Sequence, residues 1–345
     1  LGAAITLRAQ RVAVRDAQVR VEVVIDAGAQ PLMKATAWIK GPRVAYVFPG
    51  QGVQQKGMGM AAYAASVAAR RVWDRADAFT RSALGFSILR VVRDNPRELV
   101  VDGLAQVHDQ GVLHLTQFTQ VSMAVLAQAQ IAQLREAGQL ADDAVVCGHS
   151  VGEYNALSAL GDVLPLEAVV QTVYARAMEM HRLVARDAQG ESGFRMGVIR
   201  PHYAGLDEQG AKALVAEVAQ ATGLVLEVVN DNVRGRQYSV VGEIAAIAAL
   251  REALAPRQKA GKEAWVEVPG IDVPFHSRVL AEGVARFRDT LDQRFPPVIP
   301  AHKLVGRYIP NLVPRVFNLS RAFVEEIATY TGSAPLAAML ADRPR

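Results

Sequence analysis

Cysteine is almost absent from this 345-residue sequence, in which Cys147 is the only one. No disulfide can therefore form within the chain, and a reducing, cytoplasmic location fits best. No apolar run approaches the roughly 18 residues that a membrane span needs, and no basic segment followed by an apolar one opens the chain. We therefore expect neither a membrane protein nor a secreted one.

Excess charge is also small. The sequence has 38 basic and 34 acidic residues, a formal net charge of +4, and aromatic residues make up 6%. The basic residues are dispersed and not interleaved with aromatic ones, so we expect no nucleic-acid partner. His and Cys do not cluster at ligand spacing, so we expect no metal and no bound cofactor.

The first 40 residues differ in pattern from the rest. Val19, Val21 and Val23 alternate with charged side chains, and a Gly-Ala-Gln-Pro turn leads into Leu32–Trp38. Such alternation predicts antiparallel hairpin strands. We expect residues 1–40 to complete a neighbouring domain, which would make this chain a piece of a longer polypeptide.

From residue 41 the pattern becomes α/β. Short apolar strands, Val44–Phe48 and Ala144–Cys147, alternate with amphipathic helices such as Thr119–Leu134. This alternation predicts a parallel, doubly wound sheet. We assign residues 41–193 and 271–330 to this core.

Residues 194–270 have an order of their own. Strand patterns and two helical stripes follow one another as strand, helix, strand, strand, helix, strand. That βαββαβ order predicts a ferredoxin-like subdomain inserted into the larger domain. Residues 331–345 are assigned to a linker toward a following domain.

The strongest chemical signal is the G-x-S-x-G motif of Gly148–Gly152, set between a predicted strand and a predicted helix. This context is that of a nucleophile elbow, which presents Ser150 at a helix N-terminus where an oxyanion is favoured. The fold class expected is thus an α/β-hydrolase-like core. Backbone N–H groups of Val151 and of the loop 48–52 are candidate oxyanion donors.

A serine nucleophile needs a base, and seven histidines are present. His149 adjoins the serine and is interpreted as structural. His276 follows a predicted strand on a Pro-bent loop, a place where catalytic groups concentrate. The residues alone leave His276 open between general base and hydrogen-bonded loop histidine.

Five motifs follow one another along the chain. They are F-P-G-Q-G (48–52), T-Q-F-T-Q (116–120), G-H-S-V-G-E (148–153), V-P-F-H-S (273–277) and G-R-Y-I-P-N-L (306–312). Together they resemble the malonyl/acyl-CoA:carrier transacylases, and above all the malonyl/palmitoyl transferase domain of type I fatty acid synthases of the fungal and actinobacterial kind. The Arg-rich composition favours an actinobacterial source.

The resemblance implies a role for six residues. It implies that Ser150 is the nucleophile, His276 the general base, Gln51 and Val151 the backbone oxyanion donors, Gln120 a wall of the acyl pocket, and Arg176 the clamp for a malonyl carboxylate. A planar guanidinium suits a carboxylate, although without the resemblance Arg176 would better fit a side chain that extends to solvent or pairs with Glu179. Asp231, Glu243 and Asp272 are candidate acids to orient the histidine, whereas the family uses a backbone carbonyl, so no third catalytic member is assigned.

The resemblance also implies the reaction and its partners. A ping-pong mechanism would move malonyl and long acyl groups between coenzyme A, whose thioesters are the substrates, and the phosphopantetheine of an acyl carrier domain. The other synthase domains, in a homo-oligomeric assembly, would be further partners. Residues 1–40 resemble the closing strands of a hot-dog dehydratase region.

Two other function classes compete with this one. A serine thioesterase or other hydrolase shares the elbow but has no use for an arginine beside the acyl group. A non-catalytic scaffold domain would not need an intact Ser150 and His276. Val121, where many relatives have Pro, and residues 193–195 depart from the family pattern and affect the expected shape of the acyl pocket.

Overall fold

The computed structural model describes residues 5–15, 18–40, 44–141, 143–160, 163–187, 190–296 and 298–342. The predicted boundary at Gly41 and the last three residues of the predicted linker lie outside these ranges. In chain order the strands are β1 (Ile5–Arg15), β2 (Gln18–Ala27), β3 (Gln30–Lys40), β4 (Ala45–Phe48), β5 (Glu98–Val101), β6 (Leu104–Val107), β7 (Val145–Gly148), β8 (Phe194–Ile199), β9 (Leu226–Val233), β10 (Gln237–Glu243), β11 (Trp265–Glu267) and β12 (Tyr308–Ile309).

The α-helices follow the same chain order. They are α1 (Met60–Ala65), α2 (Val67–Ala83), α3 (Ile88–Asp94), α4 (Thr116–Glu136), α5 (Val151–Ala159), α6 (Leu166–Arg182), α7 (Glu208–Thr222), α8 (Ile244–Leu254), α9 (Gly283–Arg294), α10 (Arg321–Thr331) and α11 (Ala334–Asp342). None of them is long and apolar enough to cross a membrane, as far as the described ranges extend.

Contacts along the chain define two compact units, which we describe one at a time. The first unit combines Leu1–Phe48, Leu134–Val163 and Ile299–Arg345. The second unit combines Pro49–Gln133 and Leu164–Val298.

The first unit begins with an antiparallel sheet in the order β1-β2-β3. A two-residue turn joins β2 to β3, with Gly28 at its first central position and a φ of 63° that suits glycine. Asp26 is 7% exposed, and both Nε and a terminal nitrogen of Arg8 donate to it at 3.0 and 2.6 Å. The pair compensates for the cost of burying a carboxylate.

The same unit contains a parallel sheet in the order β12-β7-β4. β4 and β7 are the short apolar strands expected from the sequence, and they pair from Ala45 opposite Val145 to Phe48 opposite Gly148. Helix α5 starts directly after this sheet edge and packs on both strands. The carboxyl ends of β4 and β7 therefore meet at the edge where the elbow lies.

In the second unit, residues 194–267 form an antiparallel sheet in the order β11-β8-β10-β9. Helices α7 and α8 bury their apolar stripes in one cluster with this sheet, which includes Leu214, Val240 and Leu250. Asp207 caps α7 by accepting from the N–H of Gly210 at 2.7 Å, and Gly223 ends the helix in the left-handed conformation.

The remaining helices of this unit include α4 and α6, which carry candidate site residues. Helix α4 is buried on nearly all sides over its first two turns, so it lies inside the unit rather than on its surface. Helix α6 buries one stripe, which includes Val169, Val173 and Ala177, and packs against α2 and α9. Helix α4 extends beyond the predicted range of Thr119–Leu134 at both ends.

Candidate functional site

The elbow in the first unit has an uncommon backbone. Ser150 has φ 53° and ψ −116°, in a region that non-glycine residues rarely occupy. Holding such a conformation costs on the order of 1–3 kcal/mol, which the surrounding structure must offset. A Cβ on Gly148 would lie 2.0 Å from the carbonyl oxygen of Gly152, so only glycine fits there. The turn therefore has the sharpness that a nucleophile elbow requires.

Helix α5 begins at Val151, directly after the serine. Its first N–H groups lie at the positive end of the helix dipole, where a developing oxyanion is stabilised. His149 is exposed, and its backbone N–H donates to the carbonyl of Phe48 at 2.9 Å. This backbone bond continues the pairing of β7 with β4 up to the residue before Ser150.

A contact that the sequence analysis did not assign holds the elbow from a distant segment. The Ser150 N–H donates to Oδ1 of Asn311 at 3.2 Å, and Nδ2 of the same amide donates to the carbonyl of Gly148. Asn311 belongs to the closing motif 306–312, which contributed to the resemblance without a role for this residue. The sequence signal for this contact was that Asn311 follows Pro310, a residue with no backbone N–H to continue a strand.

Glu153 and Tyr308 hold Asn311 in turn. The backbone N–H of Asn311 donates to a carboxylate oxygen of Glu153 at 2.9 Å, and the Tyr308 hydroxyl donates to the same oxygen. Burial, and then the nearby Glu153 carboxylate, raise the pKa of Tyr308 far above its ordinary value. The tyrosine therefore stays a neutral donor at any physiological pH.

His276 lies in the second unit, on the loop after β11. It has a φ of 63° and its side chain is exposed. The residues that precede it are buried in one cluster with the face of the antiparallel sheet opposite α7 and α8, and this cluster includes Val273, Phe275, Met196 and Val241. Apolar packing thus anchors the loop while the histidine itself remains accessible.

Polar contacts fix the same loop. Asp272 forms an ion pair with Arg186, and its backbone carbonyl accepts from the hydroxyl of Ser192. Asp231, another acid considered for orienting the histidine, pairs with Lys212 at 3.1 Å. The third, Glu243, accepts from the backbone N–H of Val225 at 3.0 Å.

Arg176 is 7% exposed on α6 and donates to Oε1 of Gln120 at 3.0 Å. Gln120 lies on α4, and its Nε2 reaches Oε1 of Gln51 at 3.5 Å. Gln51 in turn donates to the hydroxyl of Thr116 at 3.2 Å. The second unit thereby links three of the predicted site residues in one hydrogen-bonded series.

A cavity of about 390 Å³ in the second unit is lined by both Arg176 and His276. Apolar side chains of α6 and α9, among them Met180 and Phe287, form other parts of its wall. Glu179, also at this cavity, accepts from Arg182 at 3.1 Å and from Arg286 at 2.9 Å. A buried cation beside apolar wall can bind an anionic group and the methylene chain next to it.

No group of three or more His, Cys, Asp or Glu that could hold a metal ion occurs among the residues described above. Of the six predicted site residues, Ser150 and Val151 lie in the first unit, and Gln51, Gln120, Arg176 and His276 lie in the second.

Comparisons with known proteins agree with these features. The family described as acyl transferase domain matches residues 45–264. The fatty acid synthase subunit beta of Schizosaccharomyces pombe is 31% identical over an alignment that covers 91% of this chain and 19% of the relative. The chain thus spans about a fifth of that relative's length.

Solved structures of similar fold include an acyl-carrier-protein S-malonyltransferase from Burkholderia pseudomallei. It is 28% identical with a TM-score of 0.61, and 84% of this chain and 81% of that chain are covered. A malonyl-transacylase in complex with a type II PKS acyl-carrier protein has a TM-score of 0.62 at 23% identity, with coverage of 84% and 81%.

The resemblance read from the motifs is thereby confirmed, while the actinobacterial source stays a prediction. The mixed α/β fold is that of the solved transferases. This chain is an acyltransferase, and it belongs to the acyl transferase domain family.

Proposed function

We propose that the chain transfers malonyl and long acyl groups between coenzyme A and the phosphopantetheine thiol of an acyl carrier in fatty acid synthesis. His276 takes the Ser150 proton as the serine attacks the thioester carbonyl, and coenzyme A leaves as the thiol. The carrier thiol then attacks the serine ester and releases Ser150. The N–H groups of Val151 and Gln51 stabilise the oxyanion in both steps.

The observation that carries this proposal is the buried guanidinium of Arg176 in the cavity that His276 also lines. A hydrolase for neutral acyl groups gains nothing from a buried cation at that place, and burying one is costly. A malonyl group ends in a carboxylate, which a guanidinium binds with two parallel hydrogen bonds. The amide of Gln120 orients the guanidinium through its 3.0 Å hydrogen bond.

The experiment compares two acyl donors in Arg176→Ala and in the wild type. Loss of a charge-assisted bidentate contact from a desolvated pocket costs roughly 2–5 kcal/mol, or about 30- to several-thousand-fold in kcat/KM for malonyl-CoA. Palmitoyl-CoA has no terminal carboxylate, so we expect its kcat/KM to be unchanged or raised. The measurement is the ratio of the two kcat/KM values.

A matched control exists on the same helix. Arg182 has a side chain that is 57% exposed and pairs with Glu179 at 3.1 Å, so Arg182→Ala should leave the donor ratio near the wild-type value. An Arg176→Ala ratio equal to that of the wild type would refute the carboxylate clamp. Intact mass after each donor, followed by peptide mapping, separates transferase from thioesterase: the transferase accumulates an ester on Ser150 that persists until a thiol is added.

We further infer that the parallel sheet belongs to an α/β-hydrolase-like core, with residues 194–270 as an inserted ferredoxin-like subdomain. The antiparallel order β11-β8-β10-β9 with two helices on one face supports this. Residues 1–40 would close a preceding dehydratase domain, and 331–345 would lead to the next. Coenzyme A thioesters serve as substrates, and the acyl carrier and other synthase domains, in a homo-oligomeric assembly, serve as partners.

A further inference from the structure

The elbow of the first unit combines a strained serine with a strand that stops early. Ser150, two residues after the end of β7, has a φ of 53°. The neighbouring strand β12 is only two residues long. Pairing between these strands runs from Tyr308 opposite Val146 to Ile309 opposite Cys147. Beyond this point β12 offers β7 no further paired residue, although β4 pairs with β7 up to Gly148 on the other side.

The register shows which group would continue that ladder. The Val146 N–H donates to the carbonyl of Arg307 at 2.7 Å. Bonds in a parallel ladder are evenly spaced along both strands, so a regular continuation would have the backbone N–H of Asn311 donate to the carbonyl of Gly148. That N–H instead donates to Glu153 at 2.9 Å.

The side chain of Asn311 takes the place of its backbone. Nδ2 donates to the Gly148 carbonyl, and Oδ1 accepts from the Ser150 N–H at 3.2 Å. One planar amide thus bridges the two peptide groups on either side of His149. Of the common side chains of this length, only Asn offers a neutral donor and a neutral acceptor together.

Glu153 keeps the amide in place. Its carboxylate accepts hydrogen bonds from the Asn311 N–H and from the Tyr308 hydroxyl. These bonds connect the segment after β12 to the first turn of α5. Tyr308 is buried and its ring lies 6.1 Å from that of Phe317. The backbone that carries the Asn311 amide is therefore held rigidly, by hydrogen bonds to Glu153 and by the packing of Tyr308.

We propose that Asn311 is a positioning residue that holds the elbow backbone, and through it the direction of Ser150 Oγ and of the Val151 N–H. This inference rests on the proposed function, because it takes Ser150 as the acylated residue. Asn311 acts through the elbow and has no contact with substrate in this mechanism. Its loss should lower the rate of acylation and leave substrate binding intact.

The test uses Asn311→Ala and Asn311→Asp in the otherwise unchanged protein. Displacing a reacting group by about 1 Å costs roughly 10²-fold in rate, so we expect single-turnover acylation of Ser150 by malonyl-CoA at pH 7.5 to slow by about 10- to 100-fold in both variants. The malonyl-CoA concentration that half-saturates this single-turnover rate should change by less than about twofold, because the cavity residues are unaltered.

A pH profile separates positioning from a general structural effect. In the Asn311→Asp variant, the ionised carboxylate keeps the acceptor but faces the Gly148 carbonyl with a negative oxygen, whereas the protonated carboxyl regains a donor and imitates the amide. The ratio of Asn311→Asp to wild-type rates should therefore rise toward one as the pH falls from 7 toward about 4, the ordinary pKa of an aspartic acid. The ratio for Asn311→Ala should stay flat.

Asn318→Asp is the matched control. Asn318 lies in the same segment, and its side-chain bonds are with Val316 and Ser320, so acylation should keep the wild-type rate at every pH. Wild-type rates in both Asn311 variants, or a flat pH ratio for Asn311→Asp, would overturn the proposal. If Asn311→Ala fails to fold, the Asn311→Asp ratio decides alone. Acylation of a residue other than Ser150 in the wild type would instead overturn the proposed function.

Discussion

The elbow at Ser150 and the loop at His276 both place a candidate catalytic residue at a positive φ, 53° and 63°. They are held in different ways. At the elbow, backbone groups approach so closely that a Cβ on Gly148 would lie 2.0 Å from the Gly152 carbonyl. At the loop, the ion pair of Arg186 with Asp272 and a layer of apolar side chains provide the anchor.

The two kinds of support predict how the elbow and the His276 loop respond to substitution. Closely packed backbone atoms cannot relieve a steric clash, because, unlike side chains, they have no other rotamer to adopt. A side-chain ion pair can be weakened stepwise, and its strength depends on charge. A substitution at the elbow should therefore abolish acylation abruptly, whereas a substitution that weakens the ion pair should lower the transfer rate only in part.

The largest effect is expected from Gly148→Ala. The added methyl group overlaps the Gly152 carbonyl, so β7 and α5 must separate. We expect a loss of about 3 kcal/mol or more in the free energy of unfolding, together with loss of acylation. Chemical denaturation and single-turnover labelling measure the two effects.

Gly193→Ala is the control for that substitution. Gly193 has an ordinary φ, and a Cβ there meets nothing within 4 Å, so its replacement should be close to neutral. Equal effects of the two substitutions would show that the elbow is not closely packed at Gly148.

An intermediate effect is expected from Asp272→Asn. The Arg186 and Asp272 side chains are 12% and 18% exposed, so removing the negative charge leaves a poorly hydrated cation beside the His276 loop. We expect kcat/KM to fall about tenfold through a less ordered His276. Transfer kinetics measure this fall, which should stay below the roughly 10²-fold expected for losing the base altogether.

Glu191→Gln provides the comparison for the Asp272 variant. Glu191 pairs with Arg195 at 3.3 Å, but the two side chains are 41% and 30% exposed, so the pair contributes little. A rate for Asp272→Asn as high as that for Glu191→Gln would mean that the ion pair does not order the loop.

The smallest effect concerns His181, which lines a cavity together with Arg186. Burial, and then the positive charge of Arg186, lower the pKa of His181 to about 4, against the opposing effect of Asp272. Between pH 6.5 and about 4 the unfolded chain binds a proton that the folded chain does not. The free energy of unfolding should therefore fall as the pH falls through this window, and no further below it.

His181→Gln removes that titration. We expect the variant to lose on the order of 1 kcal/mol less than the wild type between pH 6.5 and 4, since partial exposure reduces the full effect of the shift. Urea unfolding at a series of pH values measures the slope. Identical slopes in both proteins would mean that folding does not lower the pKa of His181.

Several parts of the fold could be read from local patterns. The first of the two helical stripes predicted within residues 194–270 is helix α7, whose Leu214 and Val215 are buried, since amphipathic periodicity reports which side faces a core. The hairpin of β5 and β6 was missed, although Asp102-Gly103 forms its turn with φ 50° and 79°. An Asp-Gly pair between two short apolar runs was the available signal.

Local pattern is enough to predict the elbow, because a strand, small residues and a helix follow one another within a few positions of Ser150. The family follows in the same way, from motifs that are each local. Three-dimensional contacts were needed to show that the Asn311 amide bridges the elbow, that Arg186 pairs with Asp272, and that Gln120 orients Arg176. Each of these contacts joins residues at least 56 positions apart, and a long-range pair depends on chain packing that no local pattern encodes.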